Sequence, residues 1–68
     1  MPTLSDRLIQ LKTERNLMQK DIAADLGLPL RTYQRYECGE REPQVTTLIR
    51  MADYFKVTLD YLVGRTNQ

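Results

Sequence analysis

The chain has 68 residues, in which 10 Lys and Arg face 9 Asp and Glu, with one cysteine and no histidine. This length has room for one domain, over residues 1–68, and buries only about 60% of its unfolded surface. One cysteine excludes an internal disulfide, and the lack of histidine leaves a poor ligand set for structural zinc. Packed helices, with or without a second subunit, therefore have to stabilise the fold.

The composition also argues against several classes of function. Residues 1–10 lack the basic and apolar regions of a signal peptide, and no segment approaches the ~20 apolar residues of a membrane span. We therefore expect a cytoplasmic protein with no membrane partner. Without histidine or a glycine-rich phosphate loop, and with a lone, semi-buried thiol expected at Cys38, we predict neither enzyme activity nor a cofactor.

The first predicted helix covers residues 5–15. Its apolar side chains recur at i, i+4 and i+7 between charged residues, as on an amphipathic helix: Leu4, Leu8 and Leu11. Thr3 and Ser5 are alternative N-caps, since a short hydroxyl side chain accepts a hydrogen bond from the first turn. Asn16 is the predicted stop, because asparagine tolerates the left-handed conformation at a helix end.

Two further helices are predicted on either side of Gly27. The first ends at Leu26 and carries a second apolar set: Leu17, Ile22, Ala23 and Leu26. Pro29 begins the next helix, because proline lacks a backbone N–H and is accepted in a first turn. This helix is predicted to run to Glu37, with Gly39 as its C-terminal punctuation.

A polar loop separates these helices from the last two. The fourth predicted helix covers residues 45–55, with apolar positions at i, i+3, i+4 and i+7: Leu48, Met51, Ala52 and Phe55. Thr58 is the predicted N-cap of a short fifth helix over residues 59–63, which Gly64 ends. No alternating strand pattern is present, so we predict an all-α fold of five helices.

The second and third helices have the spacing of a helix-turn-helix, over about residues 19–37. The two helices of this motif cross steeply through a tight turn, and Gly27 adopts a positive φ there without steric penalty. Ala23 is small enough to let the helices approach closely. The side chains predicted to fill the wedge between these helices and the first are Ile22, Leu26, Leu28, Tyr33 and Tyr36.

Several segments resemble the phage-repressor (Xre/Cro-like) helix-turn-helix family. They are QKDIAADLGL (residues 19–28), TYQRYECG (32–39), REP (41–43), LIRMA (48–52), DYFKV (53–57) and LDYLVGR (59–65). The resemblance covers about residues 4–65. It implies a compact lambda-repressor-like domain of five helices that binds double-stranded DNA, and a transcriptional regulator, in the first instance a repressor bound as a homodimer to a palindromic operator.

The resemblance also assigns DNA contacts to particular residues. The third helix matches the recognition helix, which lies in the major groove. Its base-facing positions are Leu30, Arg31, Thr32 and Gln34, with Arg35 at the edge. Arg31 suits guanine, Gln34 suits adenine, and an apolar group suits the thymine methyl. Gln19, which opens the second helix, and Arg41, in the loop, are expected to contact phosphates.

The chain departs from the family pattern at four positions. Met18 and Pro29 replace common hydroxyl caps, Tyr33 replaces a common Ile or Val, and Cys38 replaces a common Asn. Loss of a side-chain cap typically destabilises a helix by ~1 kcal/mol. The Tyr33 hydroxyl is expected to need a partner. Elsewhere Lys12 and Glu37 match a family ion pair between the first and third helices.

Two questions stay open at this level. The homodimer is expected to form mainly through the C-terminal part of the chain, with four candidate residues: Leu59, Tyr61, Leu62 and Val63. The alternative function is a protein-interaction module, such as an antitoxin that binds a toxin. The absence of acidic residues from the segment 30–36, which holds Arg31 and Arg35, favours DNA as the partner.

Overall fold

The structure, a computed structural model, describes residues 2–66. Five α-helices follow one another: α1 (Leu4–Glu14), α2 (Gln19–Leu26), α3 (Leu30–Glu37), α4 (Val45–Phe55) and α5 (Leu59–Leu62). The predicted all-α class is confirmed, and these residues include no strand. The bounds of α4 are as predicted, and the predicted ends of the other helices differ by about one residue. None of the helices within residues 2–66 has the length and apolarity to cross a membrane.

Helix α1 begins one residue earlier than predicted because Thr3 is its N-cap. Its hydroxyl accepts from the Asp6 N–H at 3.2 Å, and the Asp6 carboxylate accepts from the Thr3 N–H at 3.0 Å. Each of the two side chains thus pairs a backbone donor that the helix leaves free. Ser5, the other candidate cap, instead donates to the Glu37 carbonyl of α3. Asn16 has φ 54°, as its predicted role as a stop requires.

The turn between α2 and α3 has the predicted glycine geometry but a different role for proline. Gly27 has φ 71°, and the Leu28 N–H behind it donates to the Ala23 carbonyl at 2.8 Å. Pro29 is the N-cap of α3, with ψ 142°, rather than its first helical residue. Its carbonyl accepts the first helical hydrogen bond, from the Tyr33 N–H at 3.1 Å. The extended ψ lets the chain change direction immediately before Leu30.

All five helices contribute to one apolar core. Its largest fully buried side chains are Tyr33, Phe55, Leu8, Ile22, Met51 and Leu62. The burial of Leu62 contradicts its prediction as a dimer contact, because the side chain is 0% exposed within its own chain. The wedge predicted around Tyr33 and Tyr36 is confirmed, since both rings are buried on the inner side of α3.

A buried arginine attaches the C-terminal segment to α1. The Arg7 guanidinium lies 4.0 Å from the centroid of the Tyr61 ring and is 6% exposed as a residue. It donates to the carbonyls of Tyr61, at 3.0 Å, and Thr66, at 2.9 Å. Because the cation satisfies two backbone acceptors and stacks on an aromatic face, it holds α5 and the chain after it against α1.

Gly64 is the position at which backbone geometry leaves least room for a side chain. Its φ is +82°, and a Cβ built there would lie 1.8 Å from the Pro2 carbonyl oxygen. We expect Gly64→Ala to lower the free energy of unfolding by about 2 kcal/mol. Gly39→Ala is the matched control. Gly39 has a similar φ of +83°, but the atom nearest to the added Cβ position lies 3.9 Å away. Urea denaturation of both variants compares them, and equal losses would contradict the close approach at Gly64.

Candidate nucleic-acid interface

The outer face of α3 is polar and carries two arginines. Four residues on this face, including the C-cap Cys38, recur at i, i+3, i+4 and i+7: Arg31, Gln34, Arg35 and Cys38. Together with Glu40 they line one shallow depression. The opposite face is buried in the domain: Tyr33, Tyr36 and Glu37. Since the buried aromatic rings fix the rotation of the helix, its sequence determines which side chains point outward.

The structure places the predicted contact residues at different degrees of exposure. Leu30, Arg31, Gln34 and Arg41 are exposed, whereas Gln19, Thr32 and Arg35 are half-buried. Leu30 is 42% exposed although it is apolar, as a contact to a thymine methyl requires. Within residues 2–66 no acidic side chain forms an ion pair with Arg31, Arg35 or Arg41. Their guanidinium donors are therefore not occupied by a carboxylate.

A hydrogen-bonded chain of four side chains joins α1, α2 and α3. Lys12 Nζ lies 2.5 Å from Glu37 Oε1, which confirms the predicted pair. The same Glu37 oxygen accepts from Gln19 Nε2 at 3.0 Å, and Gln19 Oε1 accepts from Gln34 Nε2 at 3.1 Å. Two predicted DNA contacts, Gln19 and Gln34, are thus brought together and connected to a buried charge. Their sequence spacing carries no signal of this contact.

Two polar atoms on the inner face of α3 lack partners. Among the described residues neither the Tyr33 hydroxyl nor Glu37 Oε2 has a hydrogen-bond partner, although both are buried. Glu37 is the polar group that interacts with the Tyr33 hydroxyl, although no hydrogen bond within 3.5 Å joins the two side chains. Burial, and then the negative charge of Glu37, raise the pKa of Tyr33 above its usual value. The Tyr33 phenol is therefore neutral near neutral pH.

We expect Tyr33→Phe to raise the free energy of unfolding by about 1 kcal/mol. Removing the hydroxyl leaves the packed ring in place and eliminates a buried polar atom that has no hydrogen-bond partner within 3.5 Å among the described residues. Chemical denaturation of the wild type and the variant measures the change. Tyr36→Phe serves as the control, because the Tyr36 residue is 7% exposed and its hydroxyl is not among the unpaired buried atoms. A loss of stability in Tyr33→Phe would contradict the unpaired hydroxyl.

The loop after α3 presents a second group of side chains. Arg41 lies there with its backbone N–H bonded to the Arg35 carbonyl at 3.4 Å, and its side chain lines a depression beside Thr3 and Ser5. This places Arg41 apart from the outer face of α3. Cys38, by contrast, lies on that face and is exposed, so its predicted semi-burial is wrong. Cys38 follows Arg31 by seven residues, and this spacing predicts that the two side chains lie on the same face of the helix.

A model of the helix-turn-helix family matches residues 8–62. The chain is 40% identical over 63 residues to the HTH-type transcriptional regulator AnsR of Bacillus subtilis, covering 93% of this chain and 54% of that protein. It is 32% identical over 62 residues to the cryptic phage CTXphi transcriptional repressor RstR of Vibrio cholerae, covering 91% and 55%. The chain therefore spans slightly more than half the length of these relatives.

The fold is also similar to a solved structure. A crystal structure of a transcriptional regulator from Listeria innocua superposes with a TM-score of 0.88 at 36% sequence identity, covering 97% of this chain and 62% of that one. This agreement in fold and sequence includes α2, the turn at Gly27 and α3. The chain therefore belongs to the phage-repressor (Xre/Cro-like) helix-turn-helix family, a non-enzymatic family of DNA-binding regulators.

Proposed function

We propose that this chain binds double-stranded DNA sequence-specifically by placing α3 in the major groove, and that it regulates transcription in the cytoplasm as a repressor. The observation that carries the proposal is the outer face of α3, where Arg31, Gln34 and Arg35 stand together without an acidic partner among the described residues. An α-helix fits the major groove, and basic and amide side chains on it can reach base edges and phosphates. The names of the relatives AnsR and RstR support a regulatory role.

Each side chain of the proposed interface has a distinct chemical task. Arg31 is exposed in the first turn of α3 and suits a bidentate contact to guanine O6 and N7. Leu30 and the Thr32 methyl suit thymine methyl groups. Gln19 lies at the N-terminus of α2, where free backbone N–H groups and its own amide favour a phosphate. Arg35 and Arg41 add positive charge along the DNA backbone.

We further propose a homodimer on a palindromic operator. Leu59 at the start of α5 is 39% exposed, and Tyr61 and Val63 are half-buried, so these three residues remain candidates for the contact after the exclusion of Leu62. A dimer of this kind would set its two recognition helices about 34 Å apart, one turn of DNA. Equivalent surfaces on the two copies would then read inverted half-sites.

Salt dependence of DNA binding tests the proposal. We expect the affinity of the purified chain for duplex DNA to fall steeply with salt, since each neutralised phosphate contributes a slope of about −0.9 in log K against log [salt]. Arg41→Ala is expected to reduce the slope by about 1 and to weaken all sequences alike. Fluorescence anisotropy of a labelled duplex measures both quantities.

A matched control removes a positive charge elsewhere. Lys56 is exposed at the connection between α4 and α5, beside Arg15 and Thr58, and lies outside the α3 face. Lys56→Ala is therefore expected to leave the salt slope unchanged. Equal reduction of the slope by Lys56→Ala and Arg41→Ala would indicate a nonspecific effect of net charge. A folded wild type with no affinity for duplex DNA at low salt would contradict the proposed function and favour a protein partner.

A further inference from the structure

The orientation of the Gln34 amide decides which bases it can read. A glutamine side chain has an acceptor at Oε1 and two donors at Nε2, so turning it over exchanges acceptor for donor at the DNA. In the major groove adenine and cytosine present an exocyclic amino donor, whereas guanine and thymine present a carbonyl acceptor. Gln34 is exposed on the outer face of α3, and the only hydrogen bond of its side chain within residues 2–66 is the one to Gln19.

The order of donors and acceptors along the hydrogen-bonded side chains from Glu37 to Gln34 is determined by Glu37, at the buried end. The Glu37 carboxylate has only acceptors, and Lys12 holds it at 2.5 Å in a position where the residue is 5% exposed. Gln19 must therefore turn its NH₂ group toward Glu37, as the 3.0 Å bond records. This leaves Gln19 Oε1 toward α3, where it can be satisfied only by a donor.

The orientation of the Gln19 amide determines the orientation of the Gln34 amide. Gln34 supplies that donor, since its Nε2 lies 3.1 Å from Gln19 Oε1. Its own Oε1 accepts no hydrogen bond from the described residues and is left for a ligand, together with the second N–H of the amide. An outward acceptor beside an N–H donor is the complement of the amino group and N7 of adenine.

We propose that Glu37 is a positioning residue for base recognition: through Gln19 it makes Gln34 present its carbonyl oxygen to the DNA and so select bases that carry an amino group, adenine above all. This inference rests on the proposed function, because it assumes that α3 faces the major groove. It assigns to the Lys12–Glu37 pair a part in specificity as well as in packing. A neutral amide at position 37 can donate or accept a hydrogen bond. It therefore no longer forces Gln19 to turn its NH₂ group inward, and both glutamine amides can adopt either orientation.

The test uses duplexes that carry each of the four bases at the position that Gln34 reads, which is the position at which Gln34→Ala abolishes the base preference. The wild type is expected to favour adenine there by on the order of tenfold over guanine and thymine. Glu37→Gln is expected to reduce this ratio to about threefold or less, with thymine and guanine gaining most. In the Gln34→Ala background the same substitution is expected to change no base preference, as a double-mutant cycle requires of an effect that acts through Gln34.

Two further variants separate positioning from loss of stability. Gly64→Ala is expected to destabilise the fold through a close contact with Pro2 rather than with α3, and to keep the wild-type base ratio at a temperature where circular dichroism shows it folded. Gln19→Leu interrupts the hydrogen-bonded chain of side chains while leaving both members of the ion pair, Lys12 and Glu37, in place. It is expected to lose the base ratio as Glu37→Gln does, in addition to a uniform loss of affinity from its phosphate contact. Gln19→Leu also keeps the inference testable if Glu37→Gln does not fold.

The outcomes distinguish the inference from the function on which it rests. If a folded Glu37→Gln or Gln19→Leu variant keeps the preference for adenine, the positioning role is overturned while the DNA-binding function stands. If Gln34→Ala changes no base preference at any position, the reading role of Gln34 in the proposed function is overturned, and the inference falls with it. A wild-type preference for guanine or thymine at the Gln34 position would overturn the assigned amide orientation.

Discussion

Phe55→Ala is expected to lower the free energy of unfolding by about 3–5 kcal/mol, the loss typical of a large cavity in a packed core. Phe55 is 0% exposed, and its ring meets Tyr54 edge-on with centroids 5.0 Å apart. The Arg15 guanidinium lies 5.6 Å from the centroid of the same ring. Because a single core in a chain of 68 residues rarely supplies more than about 3–5 kcal/mol, the variant should be largely unfolded near physiological temperature and should lose DNA binding with the fold.

Urea denaturation monitored by circular dichroism measures this loss. Tyr54→Phe is the control at the neighbouring position, because it removes only the hydroxyl that donates to Asp25 Oδ2 at 2.8 Å. That partly exposed hydrogen bond is expected to contribute about 1 kcal/mol or less. Comparable losses in the two variants would show that Phe55 does not hold the core together.

Arg31→Ala is expected to weaken binding to the preferred sequence by about 1–3 kcal/mol and to relax the base preference at a single position. The physical reason is geometric. A guanidinium in the first turn of α3 can donate two parallel hydrogen bonds to guanine O6 and N7, and no other base presents two acceptors in that arrangement. Arg31 is exposed, and within the described residues it forms no ion pair with a carboxylate.

Competition between the preferred duplex and single-base variants of it measures this effect. Arg41→Ala is the matched control, since Arg41 is also an exposed arginine but lies in the loop after α3 rather than on its outer face. It is expected to weaken every duplex by the same factor. If Arg31→Ala also weakened all duplexes uniformly, the assignment of Arg31 to base recognition would be wrong.

The sequence predicted the helices well because their signals are local. The recurrence of apolar residues in α4 located both of its ends, and Gly27 identified the turn through a backbone conformation that few other residues adopt. The capping of α5 by Thr58, whose hydroxyl accepts from the Tyr61 N–H at 3.1 Å, is equally local. Such features depend on residues three or four positions apart, and a single chain displays them directly.

Contacts between residues that are far apart in the sequence could not be predicted from local patterns. Arg7 binds carbonyls 54 and 59 residues away, and an arginine on an amphipathic helix would ordinarily be assigned to its solvated face. Leu62 is one of the four residues predicted as dimer contacts in the C-terminal part of the chain. Only the packing of α5 against the rest of the chain decides that it is buried.

The candidate site likewise has one part that local spacing predicts and one part that depends on contacts between distant residues. The outward face of α3 follows from helical spacing, although that spacing also places Cys38 there, where semi-burial was expected. The connection from Lys12 through Glu37 and Gln19 to Gln34 spans three helices, and its direction depends on which atoms can donate. A list of polar residues contains the members of this chain but not the order in which they bond.

Selection of bound sequences from a random pool of duplex DNA tests most directly the claim that α3 reads base pairs in the major groove. We expect an enriched inverted repeat whose half-sites are centred about 10 base pairs apart. Each half-site should contain a guanine whose enrichment disappears with Arg31→Ala and not with Arg41→Ala. Recovery of no enriched sequence by a folded protein, or of the same sequence by the wild type and Arg31→Ala, would contradict it.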